Sequence, residues 1–196
     1  YVSQEGIPNF LQAEAAAGAA FGSEGVAAGV LETEREVSRR WAPYYDVVFS
    51  NLHQQRMRRR LAQRLAADES CRVVLDVGAG PGNMQRAIDH VRPGITVISV
   101  DVSWDVLNTG VKSRALSAPV VAAAERLPFR AESFDAVIGC HVLHHFEDVG
   151  GTLARLYELV RPGGQFAFIE PTNFRLRPRR HGWSSDMVNP ASVSAL

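Results

Sequence analysis

Beyond Cys71 the chain alternates short apolar runs with amphipathic stretches. VVLDVG, ITVISVDV, VVAAAE, FDAVIGC and QFAFIE each follow a turn signal, which predicts five strands. Between them, Asn83 to His90 and Asp105 to Ala115 carry helical spacing. Strands and helices in this order predict an α/β fold, a doubly wound, mainly parallel sheet with helices on both faces. Such sheets bind ligands beyond the carboxyl ends of their strands, where the strand order reverses.

Upstream the pattern is weaker. Alanine and glycine dominate residues 13–30, so 1–30 reads as a flexible or weakly helical arm. The amphipathic LETEREVSRRWAPYYDVVF is broken by Pro43, and a second helix is predicted from Leu52 to Ala67. Residues 31–70 are therefore expected to form helices that cover the site. The arginines of the second helix, Arg56, Arg58, Arg59, Arg60 and Arg64, read as a solvated face. The core is expected over 71–171, and 172–196 reads as a loop-like tail whose arginines, Arg175, Arg177, Arg179 and Arg180, are again solvated.

Composition removes several function classes. Of 196 residues, 46% are hydrophobic, enough for one sizeable core. The formal net charge is zero, which gives no global attraction to nucleic acid or an anionic membrane. No apolar run is long enough to span a bilayer and no signal pattern opens the chain, so a cytoplasmic location is expected. Two cysteines, Cys71 and Cys140, are too few for a disulfide scaffold. They fall at opposite ends of neighbouring strands, and both are expected as thiols.

Candidate chemistry concentrates at the first strand. In VVLDVGAGPG, Gly78, Gly80 and Gly82 follow a carboxylate, Asp76, and leave the backbone bare where a ligand would approach. A dinucleotide fold needs G-x-G-x-x-G, but Asn83 stands where the last glycine belongs and Pro81 removes an N–H that a diphosphate would use. Asp76 would repel phosphate and suits an ammonium group or a held water. Asp101, ending the second strand, can accept from both hydroxyls of a ribose. A nucleoside carrying a cation fits these residues.

VLDVGAGPG, VDVS, AERLPF, FDAVIGCHVLHHFED and ELVRPGGQFAFIEP, in that order, resemble successive motifs of the class I S-adenosylmethionine-dependent methyltransferases, closest to the ubiquinone/menaquinone-biosynthesis-like branch. The resemblance spans about residues 41 to 171 and implies a Rossmann-like methyltransferase fold with S-adenosyl-L-methionine as cofactor. It implies that Gly78, Gly80 and Gly82 line the methionine and ribose portion, that Asp76 lies near the amino group, and that Asp101 holds the ribose hydroxyls. Val102 would pack on the adenine and Tyr45 of WAPYYD would cover the methionine end. Ala124 and Glu125 would edge the adenine, and Cys140 would begin the loop beside the transferred methyl. Relatives commonly carry an aspartate where this chain has Ala123, which implies either a lower cofactor affinity or substitution by Glu125.

His141, His144, His145, Glu147 and Asp148 crowd one stretch, but the zincin spacing fails at Val142 and no metal is expected. His141 and His144 are the candidate bases. The implied reaction is methyl transfer to oxygen or carbon of a small molecule. Two alternatives stand beside it: a cofactor-binding protein without catalysis, and a nicotinamide-dependent oxidoreductase. The C-terminal strands that complete the family's sheet are not visible after Pro171, so FAFIE is expected at an open edge where the chain would self-associate.

Overall fold

The structure, a computed structural model, describes residues 2–4, 6–10 and 52–170. Seven strands form one sheet: β1 (Val2–Gln4), β2 (Ile7–Asn9), β3 (Val73–Val77), β4 (Thr96–Asp101), β5 (Ala118–Val121), β6 (Phe134–Cys140) and β7 (Val160–Ile169). Their spatial order is β1-β2-β5-β4-β3-β6-β7. From β2 to β7 the sheet is parallel, and β1 joins β2 antiparallel. This is the doubly wound arrangement expected, with the order reversing at β3.

Among the described residues, α1 (Leu52–Ala67), α2 (Asn83–Val91), α3 (Trp104–Lys112) and α4 (Val149–Glu158) flank it. Side chains alternate across β3, so its two faces feed two cores. Leu75 and Val77 join Val100, Val137, Leu156 and Val149 on the α4 side. Val74 joins Val97 and Ile138 with Leu61 and Leu65 of α1 and Met84 and Ile88 of α2. Burial on both faces explains why β3 reads as a near-continuous apolar run. By the same alternation Asp76 shares the face of Val74, beneath α1.

Two expectations change. Residues 2–4 and 7–9, placed in the arm, form strands, and Ile7 packs with Leu107, Leu116, Val121 and Ala123. Arg58 is not on a solvated face: it is 9% exposed, while Arg56, Arg59, Arg60 and Arg64 are exposed. The reason is its place on α1, one helical turn before Leu61 and Ala62, within the stripe that meets the sheet. Strand bounds also shift, with β5 ending at Val121 before the alanine run and β7 beginning at Val160.

Candidate functional site

The chain leaves β3 through a loop of left-handed glycines, with φ of 68° at Gly78, 56° at Gly80 and 90° at Gly82. A side chain at Gly78 would collide with Val142, and one at Gly82 would lie 2.7 Å from Leu116 Cδ2 and 2.9 Å from the Ala115 carbonyl. The missing Cβ atoms at these two positions thus serve packing inside the protein. The loop's N–H groups also turn inward. Ala79 donates to the Val100 carbonyl at 2.9 Å, Gly80 to Asp101 Oδ2 at 3.0 Å and Gly82 to the Ala79 carbonyl at 3.2 Å. Pro81 has no N–H, so positions 79–82 present none to a phosphate.

Asp76 is 1% exposed, and neither carboxylate oxygen has a hydrogen-bond partner among the described residues. Burial, with Asp101 adding to it and Arg58 opposing it, pushes the Asp76 carboxyl up to about 8. An uncompensated buried carboxylate is costly, and a cation is what would relieve it. Asp101 is partly exposed at the end of β4. Its Oδ1 accepts from Ser103 N at 2.9 Å, beside the Gly80 bond to Oδ2. Burial raises its carboxyl while the N–H groups of Ser103, Gly80 and Val102 hold it down. Three N–H groups take three of the roughly four acceptor sites of the carboxylate, which leaves room for a hydroxyl donor.

The chain leaves β6 through a second turn. His141 has φ 58°, its N–H donates to the Ile169 carbonyl at 2.8 Å, and burial pulls its imidazole below the usual value. Val142 fits a notch that exists because positions 78 and 139 are both glycine. Glu170, after β7, accepts at Oε1 from Val142 N at 2.8 Å and Leu143 N at 3.0 Å. His144 follows in the 3-10 turn Leu143–His145, its ring tilted against that of His145 with centroids 3.9 Å apart. Cys140 Sγ lies 3.9 Å from Met84 Sδ, and burial, then Asp76, pushes its thiol up, which favours the neutral thiol.

Residues 75–168 match the family model described as a methyltransferase domain. The core belongs to the class I S-adenosylmethionine-dependent methyltransferases. A demethylmenaquinone methyltransferase of Streptomyces avermitilis is 28% identical over 61% of this chain and 51% of its own. A 2-phytyl-1,4-naphtoquinone methyltransferase of Nostoc punctiforme is 27% identical over 81% and 74%. A solved phosphoethanolamine N-methyltransferase of Haemonchus contortus, bound to S-adenosylhomocysteine, superposes with TM-score 0.56 at 22% identity over 65% of this chain and 32% of that one, a likeness of fold. The chain spans about half the length of the Streptomyces relative.

The methyltransferase core fits the cofactor of its family on its own chemistry. A partnerless buried carboxylate suits an ammonium, a two-oxygen acceptor suits a diol, and the inward-turned loop refuses a diphosphate. Val102 packs at the edge of the cluster around Leu107 and Val121. Ala124 is buried and Glu125 half-buried in the 3-10 turn Ala124–Arg126. Ala123, at 7% exposure, packs against Ile7 and Leu116, which leaves no place there for a carboxylate. Tyr45 lies outside the described residues. Among the described residues no group of three or more His, Cys, Asp or Glu is arranged to hold a metal. Sequence reasoning missed Arg58, whose only signal was its place on the apolar stripe, and Glu170, which looked like an ordinary strand end.

Proposed function

We propose that this protein transfers a methyl group from S-adenosyl-L-methionine to an oxygen or carbon of a small molecule. The observation that carries the reading is Asp76: a buried carboxylate with no described hydrogen-bond partner, beside a loop that has spent its N–H groups. In this reading Asp76 takes the amino group, Asp101 the ribose hydroxyls, and Val102, Ala124 and Glu125 the adenine side. The cofactor supplies a methyl on a sulfonium, an electrophile that needs no further activation. The protein's work is alignment and exclusion of water. His141 and His144 project from the turn after β6, and either can take the proton of an acceptor hydroxyl. The names of the two relatives support a quinone-type ring as the first acceptor to try. A reducing, cytoplasmic setting suits the two free thiols.

Calorimetric titration with S-adenosylmethionine, S-adenosylhomocysteine and NAD tests the assignment. Binding of the first two and not NAD is expected. Asp101→Ala should weaken S-adenosylhomocysteine by about tenfold to a hundredfold, from the loss of a charged acceptor worth roughly 1.5 to 3 kcal/mol. Asp101→Asn, which keeps an acceptor for Gly80, should fall between. Unchanged affinity in both variants would remove Asp101 from the site. Transfer of tritiated methyl to a quinol panel then separates an enzyme from a binder.

A further inference from the structure

Glu170 makes three polar contacts with one turn. Oε1 is committed to the N–H groups of Val142 and Leu143, and Oε2, buried, stands 3.6 Å from His144 Nδ1. No described residue donates a hydrogen bond to Oε2. Ionised carboxylates only accept, so attraction across this gap requires the proton to be on Nδ1. A neutral imidazole protonated at Nδ1 has its basic lone pair on Nε2. Rotation of the carboxylate away from the ring would break two backbone hydrogen bonds. The distance is a few tenths of an ångström beyond a hydrogen bond, and contacts of this kind tighten when a site fills. Burial alone would raise the Glu170 carboxyl, but His144 and the two N–H groups hold it below its usual value, so it stays ionised.

We infer that Glu170 is a positioning residue: it seats the 142–145 turn and fixes His144 as the Nδ1–H tautomer with Nε2 as the base. The inference rests on the proposed role of His144, so the test reads the imidazole directly. In the full chain labelled with 15N, side-chain correlations identify the tautomer at a pH where the imidazole is neutral, with His144→Gln giving the assignment. Wild type should show Nδ1–H. In Glu170→Gln the amide oxygen keeps accepting from Val142 and Leu143, which leaves the NH2 facing Nδ1. His144 should then switch to Nε2–H while the Val142 and Leu143 amide shifts stay close to wild type.

A residue that only capped the turn would not move the tautomer. An Nε2–H form in the wild type overturns the inference, and so does an unchanged tautomer in Glu170→Gln with the turn in place. If Glu170→Gln fails to fold, the wild-type spectrum alone decides. Methyl transfer by His144→Gln separates the two claims: a large loss is expected, and full activity would remove the base and with it the catalytic purpose of the contact.

Discussion

Asp76 sets the energetics of the candidate cofactor site at the level of one side chain. Its carboxyl titrates at about 8 in the folded protein and near 3.9 in an unfolded chain. Between these values the folded state keeps a proton that the unfolded state has lost. Stability therefore falls as pH rises from about 4 to about 8 and levels off above. Asp76→Asn removes this titration. Its melting temperature should drop less than that of wild type between pH 5 and pH 8, a difference on the order of a few kcal/mol in stability, and it should lose affinity for S-adenosylhomocysteine. Parallel melting curves for the two proteins would show that Asp76 ionises normally and is not the buried, partnerless group described. Asp76 and Asp101 could be named from sequence because each sits at a strand end beside a diagnostic turn. Arg58 and Glu170 could not. A single arginine among five differs from its neighbours only by which face of α1 it occupies, and the partners of Glu170 lie 28 and 27 residues away.

Elements couple through the notch that holds Val142. The glycine loop after β3 and the histidine turn after β6 meet there, because β3 and β6 are parallel neighbours with Val77 opposite Gly139. Gly78→Ala puts a methyl into Val142 at a left-handed φ, and overpacking with backbone strain should cost about 2 to 4 kcal/mol. Val142→Ala in the same chain should restore the steric part and leave the strain. A double-mutant cycle on chemical denaturation is expected to give a coupling of roughly 1 kcal/mol or more, and additive effects would mean the two turns do not touch. Where patterns were strong, elements were legible: α1, α2 and β3 begin where apolar spacing and the glycines place them. β5 was displaced because VVAAAE is as apolar as a strand, yet the chain turns away after Val121 into the loop that carries the 3-10 turn Ala124–Arg126. β1 and β2 gave no periodic signal, being three residues each with Pro8 in one of them, and they are placed by pairing with β5 and by the packing of Ile7.

At the scale of the molecule the two edges of the sheet differ. The β5 edge is covered by β2 and β1, whereas among the described residues nothing pairs with the outer edge of β7. Phe166, Phe168 and the exposed Tyr157 lie at that end, with centroids 5.1 Å apart for the tilted pair of phenylalanines and 5.5 Å for the edge-to-face pair of Tyr157 and Phe166. An apolar, unpaired strand recruits another chain. The 196-residue protein is expected to self-associate in sedimentation velocity, and a monomer with slow amide exchange along Gln165 to Ile169 would overturn this. The strand order also sets when the site comes into being. Gly80 and Asp101 lie 21 residues apart, so the bond between the glycine loop and Asp101 closes as soon as β4 docks on β3. Val73 meets Asp135 across 62 residues, and the histidine turn cannot be seated until β7 has delivered Glu170. Local contacts form ahead of distant ones. On the proposed function, the strand-end carboxylates that would hold the methyl donor are therefore in place before the turn that carries the candidate bases.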